Sequence, residues 1–283
     1  MYKIGVIGNG YVGGATANGF SPASTGTCDV KVYDVLPEKS LNTLYETVND
    51  SDFVFVSVPT PMNKNGSISL KFIYEAFKNI NEINNKVDNI IILKSTVVPG
   101  TTEKIQKKYP DLNIVFNPEF LTEKSARLDF INQDRVILGG NKIHTSRVSK
   151  LFEDRFKYCH VIQTDYKTAE IIKYFCNVFF AVKVSFANEM KLLCDTIGAD
   201  WKTALEGFVA DGRIGDSHLN VPGPDGKMGF GGSCFPKDIN AFMSFAKNVG
   251  IDVNTIKGAW KTNLNLRPER DWENLKGRAV TEE

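Results

Sequence analysis

Cys234 stands in GFGGSCFPKD, residues 229–238, behind three glycines and ahead of Pro236, Lys237 and Asp238. Glycines let a substrate approach the backbone, and a neighbouring ammonium favours the thiolate, so the setting suits a nucleophile. It equally suits a small buried cysteine in a glycine turn. Lys173 and Asn177, four residues apart, share one face of any helix that carries them, where an ammonium and an amide could hold a developing oxyanion. On spacing alone a solvated helix face explains them as well. Glu119 and Glu123 lie in FNPEFLTEKS, residues 116–125, which reads as a helix start with Asn117 as cap and Pro118 in the first position. Two carboxylates one turn apart could orient water or act as a general base; acids in a first helical turn are also expected from the helix dipole alone.

A second chemistry is written at the N-terminus. Gly8, Gly10 and Gly13 form GNGYVG, with Tyr11 and Val12 inside it, directly after an apolar run and before a helical one. The next apolar run ends in Asp34. Strand, glycine turn, helix, strand, acid is the arrangement that presents backbone N–H groups to a pyrophosphate and a carboxylate to a ribose, and a carboxylate there favours NAD over NADP. Lys39 can reach the adenosine end or remain a solvated lysine. Thr60 in SVPTP and Thr96 in KSTVVPGTT each follow an apolar run, at the edge of a sheet where such folds bind ligands; local turn hydrogen bonds account for them equally well. The three histidines show no metal spacing, and no metal is expected.

Elements able to position these groups follow from periodicity. The runs at 2–8, 29–34, 53–58, 89–94, 113–116 and 135–138 are too apolar to have a wet face, and helical segments fit between most of them. An α/β fold is predicted, a doubly wound, Rossmann-like parallel sheet wound by right-handed crossovers. From Thr164 the texture changes. Ile171, Phe175, Phe179, Val182, Phe186, Met190 and Leu193 recur at spacings of three and four with no turn residue before Gly198, which predicts one long central helix of about 30 residues. The expected organisation is a dinucleotide-binding domain over 1–164, a helical domain over 165–262, and a charged tail over 263–283 that forms a short helix or an exposed arm.

The 283 residues carry 34 Lys and Arg against 33 Asp and Glu, so no positive field is available to hold a nucleic acid. Five cysteines without a CxxC pair argue against a disulfide framework or a zinc site. No leader pattern and no membrane-length apolar run are read, and a cytoplasmic protein is expected.

GNGYVG, SVPTP, KSTVVPGTT, FNPEFLTE, AEIIKYFCN and GFGGSCFPKD, in this order, resemble the UDP-glucose/GDP-mannose dehydrogenase family from residue 2 to about 260. The longer loop HLNVPGPDGKMGFGGSCFPKD resembles its UDP-glucose branch most. The resemblance implies oxidation of a nucleotide sugar's primary alcohol to a carboxylate with two NAD, UDP-glucose to UDP-glucuronate in the first instance. GDP-mannose or UDP-N-acetylmannosamine as substrate, or a non-catalytic binding module, are the alternatives. It makes Cys234 the nucleophile that passes through a thiohemiacetal and a thioester. Lys173 and Asn177 become the oxyanion pair, Asp238 and Thr96 the groups that position water, and Glu123 the carboxylate of thioester hydrolysis, with Glu119, Phe120 and Leu121 beside the sugar. Thr60, Thr96, Lys39, Glu123 and Lys237 match cofactor contacts. Arg213, His218, Asn220, Gly229, Phe230 and Gly231 match the substrate loop. The long helix implies a homodimer or larger homo-oligomer. Family members continue with a third, nucleotide-gripping domain; the tail of this sequence shows no glycine loop or strand series, so it is not expected to be that domain.

Overall fold

The computed structural model describes residues 1–26 and 28–282; Thr27, inside the expected first domain, and Glu283, inside the expected tail, lie outside the described residues. The chain divides into two compact units, Met1–Thr60 with Leu70–Lys173, and Pro61–Ser69 with Tyr174–Glu283.

In the first unit, strands β1 (Tyr2–Ile7), β2 (Cys28–Tyr33), β3 (Phe53–Val56), β4 (Ile90–Leu93), β5 (Asn113–Phe116), β6 (Arg135–Gly140) and β7 (His160–Thr164) form one sheet among the described residues, in the order β2-β1-β3-β4-β5-β6-β7. Helices α1 (Tyr11–Phe20), α2 (Pro22–Thr25), α3 (Leu44–Asn49), α4 (Lys71–Ile83), α5 (Thr101–Lys108), α6 (Ala126–Ile131) and α7 (Lys142–Arg155) connect the strands. Alternate residues feed two cores. Ile4, Val6, Phe53, Phe55, Ile90 and Ile92 face one. Ile7, Val54, Val56, Ile91, Leu93 and Phe116 face the other. Both faces are dry, which is why the strands read as unbroken apolar runs.

Two features depart from expectation. β6 runs antiparallel to β5, pairing Val115 with Gly140 and Phe116 with Gly139, so the sheet is not wholly parallel. A parallel return needs a crossover laid over the sheet. Between β5 and β6 the chain supplies a single 3-10 turn and the six-residue α6, which packs beside α1. β7 was not foreseen because it is an edge strand, partly exposed along its length, whose HVIQT lacks a continuous apolar run.

Helix α8 (Tyr166–Ile197) runs for 32 residues. Its first two turns belong to the first unit, where Ala169 and Ile172 join the core with Ile114 and Phe116, so the division into units falls inside the helix, between 173 and 174. The second unit continues with α9 (Trp201–Val209), α10 (Phe235–Asn248) and α11 (Asn254–Leu266). Ala181, Phe230 and Ile239 form its centre with Trp260 and Phe235.

The faces of α8 are the reverse of the simple reading. Phe175 and Phe179 are each 61% exposed, and Phe186 and Leu193 are exposed too, while Glu170, Lys173, Asn177, Ser185 and Asn188 are buried. The spacing marks the apolar stripe correctly; what covers each face is a tertiary matter. Of the two forms expected for the tail, the structure shows a short helical turn at Asp271–Asn274. Trp272 is 1% exposed beside Trp260, and Met62 exchanges backbone hydrogen bonds with Ala279 and Thr281. Residues 271–281 are therefore a packed return, not an exposed arm, because Trp272 and Ala279 supply apolar anchors among the charges.

Candidate active site

The glycine loop leaves β1 at the strand order's switch point, between β2 and β3, where doubly wound folds leave a crevice. A Cβ on Gly13 would stand 1.8 Å from the Gly8 carbonyl oxygen, so the turn closes only with glycine there. A Cβ on Gly10 would meet nothing within 4 Å, leaving open space at the N-terminus of α1. Asp34, at the end of β2, accepts from the Asn9 N–H at 2.6 Å and the Leu36 N–H at 2.9 Å, which fixes its carboxylate beside the loop. Open space, helix N-terminus and fixed carboxylate fit a dinucleotide's pyrophosphate and ribose. Tyr11 and Val12 open α1, half-buried. Lys39 is exposed and touches the loop through its carbonyl, which accepts from Asn9 Nδ2 at 2.8 Å. Thr60 and Thr96 are buried just beyond the ends of β3 and β4.

Lys173 is 2% exposed, so the solvated-face reading fails for it. Its Nζ donates to the Glu119 carbonyl oxygen at 2.6 Å and to Glu119 Oε1 at 3.0 Å, and lies 5.5 Å from the Phe120 ring centre. The Arg135 guanidinium stacks on that ring at 4.5 Å. No helix starts at Asn117. Its side chain receives Lys94 Nζ at 2.8 Å and donates to the Ile137 carbonyl at 2.9 Å, while Glu119 Oε2 accepts from the Leu121 N–H at 2.6 Å. These bonds fix 117–122 outside any helix, with a single 3-10 turn at Glu123–Ser125 leading into α6. Glu119 is buried and Glu123 exposed, so the two carboxylates do not form the one-turn pair that the spacing suggested. Lys94 and Glu170 are buried groups that sequence reasoning missed. Glu170 Oε1 and Oε2 accept from the N–H groups of Thr102 and Gly100, which seals the N-terminus of α5 behind the loop that carries Thr96; burial raises this carboxyl above its ordinary range. Each is one charged letter inside a helical or apolar run, and nothing in spacing distinguishes it from a surface residue.

In the second unit Cys234 is the residue immediately before α10, with Ser233 Oγ 3.7 Å from its Sγ. Pro236 enters the first turn, and the helix N-terminus favours negative charge developing there. Asp238 is buried one turn on. Its Oδ2 accepts from Asn177 Nδ2 at 2.6 Å, and its Oδ1 pairs with Lys237 Nζ, which is itself buried. Lys237, matched by resemblance to a cofactor contact, is thus tied to Asp238.

The glycines of this loop have a reason that sequence reasoning did not supply. A Cβ on Gly231 would stand 2.4 Å from the Asp271 carboxylate and 2.7 Å from the Arg267 guanidinium, so the approach it permits is that of the protein's own ion pair. Gly229 donates to Asn188 Oδ1 at 3.0 Å, and Phe230 points into the core, its backbone bonded both ways to the Asn263 amide. Upstream, Arg213 is exposed and paired with Asp211. His218 lies flat on Phe180, ring centres 4.0 Å apart; burial and the Lys183 ammonium push its imidazole below the ordinary value. Asn220 is exposed. No cluster of three or more potential metal ligands and no disulfide occurs among the described residues, and no helix is long and apolar enough to cross a membrane.

A glycine-turn dinucleotide site on a doubly wound sheet, followed by a helical unit that presents a thiol at a helix start, gives the chain a two-unit, NAD-binding architecture. The profile of the UDP-glucose/GDP-mannose dehydrogenase family's NAD binding domain matches residues 32–156, and that of its central domain matches 167–265. The chain belongs to this family.

UDP-glucose 6-dehydrogenase of Rickettsia conorii is 38% identical over 229 residues, which cover 80% of this chain and 52% of that protein. UDP-glucose 6-dehydrogenase TuaD of Bacillus subtilis is 33% identical, covering 94% and 64%. A UDP-glucose dehydrogenase structure from the archaeon Pyrobaculum islandicum superposes with a TM-score of 0.80 at 28% identity, over 97% of this chain and 70% of that one. The chain thus spans about half the length of the Rickettsia relative.

Proposed function

We propose that the protein oxidises the primary alcohol of a nucleotide sugar to a carboxylate with two equivalents of NAD, and that the sugar nucleotide is UDP-glucose. The observation that carries the reading is the placement of Cys234 at the start of α10, one turn before a buried Asp238 held by Asn177 and Lys237. The names of the Rickettsia and Bacillus relatives support the substrate.

Bound NAD supplies the hydride acceptor. Lys173 Nζ, fixed by Glu119, and Asn177 Nδ2, one helical turn further along α8, donate to oxyanion character on the sugar oxygen, and the hydroxyl proton leaves through the water that Asp238 and Thr96 position. Cys234 Sγ adds to the aldehyde carbon and holds it as a thiohemiacetal, and after the second oxidation water displaces the thiolate from the thioester. Asp238 and Thr96 position that water, and Glu123 accepts its proton. Glu119 has a narrower part than a free base, because both its carboxylate and its carbonyl engage Lys173. The reading also includes a homodimer or larger assembly built on the exposed aromatic face of α8, and a cytoplasmic location.

The test is to mix purified protein with UDP-glucose and NAD at several protein concentrations and count NADH per sugar, beside Cys234→Ser. Two NADH per sugar, lost in the serine variant, is the expected result. NAD binding without NADH from UDP-glucose, GDP-mannose or UDP-N-acetylmannosamine overturns the dehydrogenase reading and leaves a binding module.

A further inference from the structure

Within the second unit, the loop that leads into Cys234 is gripped by the end of α11 and the turn that follows it. Asn263 bonds the backbone of Phe230 in both directions, at 2.7 and 2.9 Å. Asp271 Oδ2 accepts from the Gly232 N–H at 3.1 Å, and a Cβ on Gly231 would overlap the same carboxylate. Arg267 Nε donates to Asp271 Oδ1 at 2.6 Å, so one oxygen of Asp271 serves the guanidinium and the other the loop. Ser233 and Cys234 follow Gly232 directly, and the Asp238 N–H donates to the Cys234 carbonyl oxygen at 2.8 Å, which closes the first turn of α10.

Asp271 is itself pinned. Trp272, next in the chain, is buried with its ring centre 5.3 Å from that of Trp260. Arg270, immediately before, has a φ of 43°, a left-handed conformation that is costly for a residue with a Cβ and persists only where the surroundings enforce it. The chain turns sharply at Arg270 and is anchored at Trp272, which aims the carboxylate between them at the Gly232 amide. A buried guanidinium needs a carboxylate, but Arg267 also has Asp225. Neutralising Arg267 therefore requires neither the strained turn nor the bond to Gly232.

We infer that Asp271 is a positioning residue for Cys234: by bonding the Gly232 N–H from a pinned turn, it fixes the loop that sets the thiol at the start of α10. The functional half rests on the reading of Cys234 as nucleophile given above; the grip on the loop stands on the geometry. A thiol that adds to a carbonyl carbon must meet it within a narrow range of distance and angle, so a loop free to shift by about an ångström loses rate while keeping its thiol.

The experiment compares residue-resolved amide hydrogen exchange in the whole natural chain, in Asp271→Ala and in Ser185→Ala. The last is a control for lost stability, because it removes a buried hydroxyl bond to the Ala259 carbonyl elsewhere in the second unit. Asp271→Ala should speed exchange at Gly232, which it frees directly, and by about tenfold or more at Asp238, whose N–H reports on the Cys234 carbonyl; Ser185→Ala should change neither by more than about twofold. An unchanged rate at Asp238 in Asp271→Ala, or an equal rise in both variants, overturns the inference. Should Asp271→Ala not fold, Asp271→Asn decides the matter, since its single amide oxygen cannot serve Arg267 and Gly232 as two carboxylate oxygens do: faster exchange at Asp238 supports the inference and constancy overturns it. With UDP-glucose and NAD, Asp271→Ala should lower kcat by about tenfold or more with NAD affinity unchanged, whereas Ser185→Ala should keep kcat. Full kcat in Asp271→Ala would also overturn it. Absence of turnover in the natural chain would defeat the dehydrogenase reading while leaving the exchange rates to decide the grip on the loop.

Discussion

Asn177 Nδ2 donates to Asp238 Oδ2 at 2.6 Å, which joins the middle of the long helix α8 to the first turn of α10 directly after Cys234. Both residues are buried, and Lys237 takes the other carboxylate oxygen. Asn177→Ala removes one charge-assisted bond from a buried carboxylate, an expected loss of about 2 kcal/mol in urea-unfolding free energy. Asn177→Asp should cost more, because two carboxylates then face each other. An unchanged midpoint in Asn177→Ala would mean that Lys237 alone satisfies Asp238.

Two glycine substitutions should separate binding from folding. Gly10→Ala adds a methyl where nothing lies within 4 Å, so the thermal midpoint should hold while NAD affinity, measured by calorimetry, falls about tenfold or more. Gly231→Ala drives a methyl into the Asp271 and Arg267 pair, and should cost about 1–3 kcal/mol of stability with NAD binding retained by the folded protein. Equal effects on both properties in both variants would contradict this division.

Lys94 gives stability a pH dependence of definite sign. Its amine is held down to about 8 in the folded protein by burial, against 10.5 in the unfolded chain. Below pH 8 both states are protonated. Between those values the unfolded chain binds the extra proton, so stability rises with pH, by up to about 3 kcal/mol over the whole interval. Cys159, pushed up to about 11 from 9.0, opposes this above pH 9, and Tyr2 and Tyr166, both pushed up to about 12, oppose it above pH 10, where the folded state keeps protons that the unfolded chain has lost. Chemical unfolding between pH 8 and 9 should therefore show a rise that Lys94→Met abolishes; a flat profile in the natural chain over that interval would refute the assignment.

The exposed rings of Phe175 and Phe179 lie four residues apart on α8, with Phe186 and Leu193 continuing the stripe. An apolar stripe of this length marks an association face. Sedimentation should show a dimer or larger species for the natural chain and a monomer for Phe175→Glu combined with Phe179→Glu, with helix content by circular dichroism unchanged. A natural chain that sediments as a monomer at micromolar concentration would end this reading.

Local chemistry made much of the molecule legible from sequence. The dinucleotide loop is fixed by which residues can make its turn: a side chain at position 13 would overlap the Gly8 carbonyl, and that constraint needs no partner from elsewhere in the chain. The β-branched runs could only be buried strands, and the three- and four-residue spacing from Ile171 to Leu193 could only be a helix. What the sequence could not carry was which face of an element is covered and by what. Lys173 and Asn177 read as solvated because a stripe of phenylalanines lay opposite, yet their partners Glu119 and Asp238 stand 54 and 61 residues away. Asn117 read as a helix cap until Lys94 and Ile137 claimed its amide, and Lys94 read as the end of a strand. Periodicity reports the local geometry of one segment, whereas burial and charge pairing are settled only when distant segments meet. For that reason the tertiary structure alone decided that Lys173 would meet Glu119 away from water.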